Sequence, residues 1–187
     1  MQRLEAPRVR LLAFTAADED MYVGLYTDAV VMRHVGPPLE PEAARRAFAA
    51  VLRQASLPVP PACYWRIAWR EGGRPDAGLI AMLVDADRQG AEIGLLLWPH
   101  SQDQGVAREA ISAVADHAFS GEAPLSTLWT RHTEDNVLVD SLMRRLGFAR
   151  DGEVETGTQR LRQPRWRTAR DQWQRRTGGF ARPMGRC

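Results

Sequence analysis

A single α/β (α+β) domain, with helices flanking a sheet rich in antiparallel strands, is the fold class the sequence predicts. Three observations carry it. Across 64–97, three short apolar runs are separated by turn residues, as in an antiparallel meander. Across 95–118, an apolar run gives way to a polar loop with one glycine, Gly105, and then to apolar residues at helical spacing. The chain has 187 residues, enough for one domain with a sizeable core, and neither a repeat nor an interdomain linker divides it.

The elements follow in order. Residues 8–14 alternate imperfectly and read as a first strand. Thr15 suits the N-cap of a helix to about Asp28, with Asp18 and Glu19 in its first turn. Val35-Gly36-Pro37-Pro38 breaks the chain, and Pro41 opens a second helix whose apolar side is Phe48, Val51, Leu52 and Ala55. Strands at 64–69, 79–84 and 91–97 come next, joined by turns at 71–75 and 85–90. The helix of Ala107, Ala110, Ile111, Val114 and Ala118 closes near Gly121, and 125–130 is a further strand. Glu134-Asp135-Asn136 starts a helix containing Leu138, Val139, Leu142, Met143 and Leu146, and Gly147 ends it. Residues 153–161 and 166–173 read as the last two strands. Residues 177–187 read as a disordered basic tail, leaving 1–176 as the domain.

Composition bounds the function. Hydrophobic residues make up 44% and charged residues 26%, a globular balance. No run approaches the ~18 apolar residues of a membrane helix. The first eight residues lack the apolar core of a signal peptide, so the expected location is the cytoplasm, with no membrane partner. Cys63 and Cys187 read as free thiols. The four histidines (His34, His100, His117, His132) show no metal spacing, and no metal is expected. Every basic residue is arginine. From Glu155 to Cys187 nine arginines face two acids, a net +7 in a chain of formal net +2. That asymmetry would suit an acidic partner. Arg165-Trp166-Arg167 and Trp173 interleave aromatics with charge as single-strand binders do, but a last strand gives the same alternation, and nucleic acid is not the expected partner.

The chemistry gathers at Gln102-Asp103-Gln104-Gly105-Val106-Ala107. A helix start presents unpaired N–H groups and the positive end of the macrodipole, and Gly105 lets a phosphate approach the backbone. The loop resembles the pyrophosphate loop of the GCN5-related N-acetyltransferases (GNAT), which reads Gln/Arg, two residues, Gly, one residue, Gly/Ala. Pro99 stands three residues before Gln102, as in that pattern, and the element order over 8–175 is similar to that family's. Several details resemble the ribosomal-protein-alanine N-acetyltransferase branch: Glu92-Ile93-Gly94 before the loop and Arg108-Glu109-Ala110 opening the helix. Asn136 stands eleven residues before Gly147-Phe148, and Asp171-Gln172-Trp173 matches the Asp that opens the final strand. The resemblance implies a mixed, mostly antiparallel sheet splayed between its fourth and fifth strands, 91–97 and 125–130. It implies acetyl-CoA as co-substrate. The pyrophosphate would lie on backbone amides of 102–107 with Arg108 adjoining. The pantetheine arm would lie against the backbone of Leu95, Leu96 and Leu97, and Asn136 would bond that arm.

Acetyl transfer to an amine needs a base for the ammonium proton and a proton for the leaving thiolate. Glu92, on the fourth strand, is the candidate base; the alternative is an arginine partner across the sheet. The acid departs from the family pattern. Its usual Tyr is Met143, and the branch's usual Ser is Val139. Ser141 should face away, some 160–200° around the helix from those positions. His132 and Thr130 are the fallback candidates. Tyr64 or Trp65 could line the acceptor pocket, with residues 30–40, including Arg33 and His34, overhanging it. The expected partner is a small-molecule or peptide amine, and a homodimer is compatible with this reading. Two alternatives stand beside the enzyme: an acyl-CoA-binding module that lost the acid, and a ribosome- or nucleic-acid-associated protein using its arginine-rich end.

Overall fold

A computed structural model of the protein describes residues 3–120, 123–156 and 161–177. Among them, eight strands form one sheet: β1 (Leu4–Glu5), β2 (Val9–Ala13), β3 (Ala62–Trp69), β4 (Gly78–Val84), β5 (Gly90–Leu97), β6 (Thr127–Arg131), β7 (Ala149–Thr156) and β8 (Leu161–Ala169). Their spatial order is β1-β2-β3-β4-β5-β6-β8-β7. Every pairing is antiparallel except β5 with β6, which is parallel. The helices are α1 (Glu19–Thr27), α2 (Ala29–Met32), α3 (Pro41–Ala55), α4 (Val106–Ser120), α5 (Val137–Leu146) and α6 (Arg170–Thr177). This is the expected α/β class with a mixed sheet.

Side-chain alternation divides the core by face. Trp65, Ile67, Met82, Ala91 and Ile93 pack with Val106, Ile111 and Val114 of α4 on one face. Leu79 and Leu96 pack with Tyr22 and Leu25 of α1 and Phe48 and Val51 of α3 on the other. Strand β4 is apolar on both faces, buried continuously from Gly78 to Met82, because helices cover both. Among the described residues, no helix is long and apolar enough to cross a membrane.

Several elements differ from the sequence reading. Strand β1 adds a short edge. The first helix is two: Asp28 closes α1 and caps α2, its Oδ1 accepting from Val30 N at 2.7 Å and Val31 N at 3.0 Å. The final strand begins at Leu161 and stops at Ala169, so Asp171-Gln172-Trp173 lies in α6 and opens no strand. The reason is tertiary. Trp173 is 3% exposed, seated beside Phe119 and Phe148, with its Nε1 donating to Asp116 Oδ1 at 2.7 Å. A turn of helix delivers that ring to the core, and the Asp171–Arg175 pair suits an i,i+4 spacing. Gly121, where α4 was expected to close, lies outside the described residues, as do 178–187 of the expected tail.

Gly78 sets the spacing of the strand that matters most. Its φ is +150°, and a Cβ there would sit 2.1 Å from the Leu96 carbonyl oxygen and 2.9 Å from Leu97 Cα. The obstruction is backbone and cannot rotate away, the close approach that glycine permits in a strand. Gly78→Ala should therefore lower stability by ~2 kcal/mol or more, read as a fall in the urea midpoint. An unchanged midpoint would show that β4 and β5 can separate freely at this position.

Candidate active site

Strands β5 and β6 pair over only three positions, Gly90↔Thr127, Ala91↔Leu128 and Glu92↔Trp129. Beyond Glu92, each follows its other neighbour. Leu95, Leu96 and Leu97 stay in register with Ile80, Leu79 and Gly78 of β4, while Thr130 and Arg131 stay with Trp166 and Arg165 of β8. The last link across the gap is Thr130 Oγ1 donating to the Ile93 carbonyl at 2.8 Å. Past it opens a cleft of about 600 Å³ that reaches both faces of the sheet.

On the α4 face the cleft is lined by Ile93, Leu95, Ile111, Asn136, Val139, Leu142 and Met143. Asn136 precedes α5 with φ −86°, ψ 65°, and its side chain makes no capping bond. Asn136 is the N-cap residue by its backbone, its carbonyl accepting from Val139 N at 3.1 Å, while its side chain is left for other partners. Leu95 and Leu96 line the cleft; Leu97 pairs with Gly78, and its carbonyl accepts from Gln102 Nε2 at 3.3 Å.

The loop 102–105 turns into α4 through two left-handed residues, Asp103 at φ 57° and Gly105 at φ 75°. The first i→i−4 bond runs from Glu109 N to Gly105 O at 3.2 Å, so the amides before Glu109 are those a helix start leaves for an anion. The Val106 side chain is in the core, Ala107 is half-buried and Arg108 is exposed. A clamp invisible in the sequence holds the loop. Arg8 Nη2 donates to Gln104 O at 2.6 Å and its Nε to Glu109 Oε1 at 2.6 Å, while Glu109 Oε2 accepts from Arg8 N at 2.9 Å. Arg74 Nη2 adds a bond to Gln104 Oε1 at 2.9 Å. A Cβ at Gly105 would come within 2.9 Å of Arg8 Nη2.

On the opposite face Glu92 lies beside the gap. Arg131 Nε stands 2.9 Å from its Oε1, with the two side chains 34% and 19% exposed, so the carboxylate has the arginine partner foreseen as the alternative to catalysis. Burial pushes the Glu92 pKa above the usual carboxylate range, while Arg131 pulls against it. Tyr26, Tyr64, Arg33 and His34 line the same side. Burial raises the Tyr26 and Tyr64 hydroxyls, and the Tyr22 hydroxyl to about 12, so all three stay protonated at neutral pH. Trp65 instead points to the α4 face, fully buried, and leaves the acceptor side to Tyr64.

The expected proton donor positions are apolar. Met143 is 2% exposed, and Val139 also faces the cleft, while Ser141 is exposed. The Thr130 hydroxyl is engaged by Ile93 O. His132 is buried against the cleft, its Nδ1 2.8 Å from Thr133 O and its Nε2 3.1 Å from Asp140 Oδ1, off the axis of a hydrogen bond. A carbonyl only accepts, so Nδ1 carries a proton. Among the described residues, no group of three His, Cys, Asp or Glu could hold a metal ion. The arginines of the C-terminal part are partly neutralised locally: Arg165 and Arg167 reach Asp151, and Arg162 reaches Glu153.

A sheet parted between two parallel strands, the first of which runs on through a glycine loop into a helix, defines the class of acyl-CoA transferases whose loop the sequence resembles. The family model of the acetyltransferase (GNAT) domain matches residues 8–149, and the chain belongs to that family. A GNAT-family acetyltransferase from Bacillus anthracis superposes with TM-score 0.75 at 17% identity, over 91% of this chain and 99% of that one. Spermidine N-acetyltransferase from Vibrio cholerae, solved with CoA and spermine, gives 0.73 at 15%, over 88% and 97%. RimL, a ribosomal L7/L12 α-N-protein acetyltransferase solved with CoA, gives 0.75 at 14%, over 90% and 98%. At such identities the likeness is one of fold. A search of curated proteins finds no match.

The Glu92 site can be tested without any ligand. Arg131→Met should leave burial unopposed and raise the Glu92 pKa further, read from the side-chain carboxyl carbon by NMR titration. A pKa that falls or stays put would show that Arg131 does not set it.

Proposed function

We propose that the chain is an acetyl-CoA-dependent N-acetyltransferase that moves an acetyl group to a primary amine by direct attack in a ternary complex. The observation that carries this reading is the parting of β5 and β6. It leaves β5 without a β6 partner at Ile93–Leu95, facing a cleft lined by Ile111 of α4 and Asn136 on one face of the sheet and by the Glu92 carboxylate on the other. The residues fit the co-substrate. Within 102–107, where Gln102 N donates to Pro99 O, the amides from 103 on would suit a pyrophosphate, with exposed Arg108 beside them. Leu95 to Leu97 would hold the arm by their backbone, and Asn136 would bond it with the side chain that its helix does not use.

Acetyl-CoA supplies the acyl group as a thioester, whose C–S bond breaks as the N–C bond to the amine forms. Glu92 takes the ammonium proton, directly or through a water; its raised pKa makes it a stronger base than a surface carboxylate. Arg131 favours its ionised form. Met143 and Val139 offer no proton, the Thr130 hydroxyl is engaged by Ile93 O and the His132 Nδ1 proton by Thr133 O, so water in the cleft supplies the departing sulfur. The acceptor amine belongs to a small molecule or a protein N-terminus. Glu92-Ile93-Gly94 and Arg108-Glu109-Ala110, which match the ribosomal-protein branch, support the second, while the fold likenesses to spermidine N-acetyltransferase and RimL favour neither.

Two measurements test the reading. Acetyl-CoA should raise the melting temperature, and Gly105→Glu should erase that rise by setting bulk and negative charge in the phosphate cradle. Undiminished binding by a folded Gly105→Glu protein would overturn the loop assignment.

Glu92→Gln should keep acetyl-CoA affinity while lowering kcat ~10²-fold or more. The deficit should shrink as pH rises, since more of the amine is then already neutral, while wild-type activity should fall as pH drops through the raised Glu92 pKa. Equal turnover at every pH removes Glu92 from the mechanism. Binding of acetyl-CoA without thiol release on any amine would favour the binding-module alternative.

A further inference from the structure

The charge on the acceptor side of the cleft speaks to the kind of amine it takes. Three fully ionisable side chains line the cleft: Arg33, Arg131 and Glu92. The one carboxylate among them is engaged by Arg131 at 2.9 Å. Arg33 is exposed, its Nε donates to His34 Nε2 at 3.2 Å, and among the described residues no carboxylate lies within ion-pair distance of it. The nearest acidic group along this rim, Asp135, stands 3.4 Å from His34 Nδ1 with its side chain 72% exposed to solvent. The lining therefore carries a net positive charge, with a guanidinium fork uncommitted to any acid. Around it the walls are apolar, with Val35 and Leu83 exposed to the cleft.

We infer that the acceptor is an amine that also carries a carboxylate, which Arg33 binds while the amine is presented to Glu92. This inference rests on the N-acetyltransferase reading of the cleft and deepens it. Guanidinium matches carboxylate in geometry as well as charge. A polyamine would meet like charge at Arg33, and the one carboxylate lining the cleft, Glu92, is held by Arg131, so a polycation would be selected against. The carboxylate could belong to a free amino acid or to an acidic peptide near its N-terminus. Both present the same group to Arg33.

The experiment compares matched acceptors with acetyl-CoA saturating. L-Leucine is set against isoamylamine, which lacks only the carboxylate. The peptide Ala-Ala-Glu-Glu is set against Ala-Ala-Gln-Gln, both C-terminally amidated, and spermidine is the polycation. The expected result is at least ~10-fold higher kcat/KM for one or both carboxylated acceptors than for their neutral partners, with spermidine the poorest. Which pair shows the larger ratio tells an amino acid from a peptide. Arg33→Gln, checked for folding by its circular-dichroism melt, should bring the ratio close to one, and raised ionic strength should shrink it in the wild type. Ratios near one in the wild type, a ratio unchanged in Arg33→Gln, or spermidine as the best acceptor would each overturn the inference while leaving the enzyme reading intact. If no amine is turned over, the enzyme reading fails separately. Calorimetric titration of the same five acceptors into the protein with CoA then decides the inference, and equal affinity within both pairs would overturn it.

Discussion

The site depends on a pairing that stops. Strands β5 and β6 hold each other for three residue pairs, and then β4 keeps one while β8 keeps the other. Backbone groups left without a ladder partner are costly when buried, so such a gap persists only where something else satisfies them or water reaches them. Thr130 closes the first position with its hydroxyl. The rest of β5 faces an open cleft, and its polar backbone is the natural complement of an amide-bearing ligand.

Because the gap runs through the sheet, it joins two faces of unlike character. The α4 face offers apolar walls and Asn136. The α1–α3 face offers tyrosines, arginine and the Glu92–Arg131 pair. Alternation along β5 performs the sorting: Ile93 and Leu95 look to one side, Glu92 and Gly94 to the other. One strand can thereby hold a long, partly apolar co-substrate and present a carboxylate to a second reactant arriving from the opposite side. The clamp of Arg8 on Gln104 and Glu109 ties the start of β2 to the loop, so the turn into α4 is braced by a part of the chain far away in sequence.

The local signals read well where one short stretch contains its own reason. Gly105 ahead of a helical pattern, Pro41 at a helix start and Gly147 at a helix end each act within a few residues. The misreadings came where a distant contact outweighs local pattern. Alternation over 166–173 looks like one strand, yet Trp173 reaches the core from a helix because Phe119, Phe148 and Asp116 await it there. Trp65 and Tyr64 are equal candidates in sequence, and only the strand's phase against β4 sends the tyrosine to the acceptor side. Arg131 was one arginine of many; its choice of Glu92 follows from the parallel register that sets Trp129 opposite Glu92.

By itself, then, the sequence determined the α/β class, most strands and helices, the glycine loop that opens α4 and the absence of a tyrosine or serine at positions 143 and 139. These rest on periodicity, on turn and cap chemistry, and on which atoms each side chain possesses. Tertiary structure alone decided that β8 lies between β6 and β7, that Arg8 braces the loop, that Glu92 is paired and half-buried, that the Asn136 side chain makes no capping bond, and that His132 reaches the cleft. Each of these is a relation between residues far apart along the chain. A side chain's burial, its partner and the face it shows are properties of the space that the other elements leave around it.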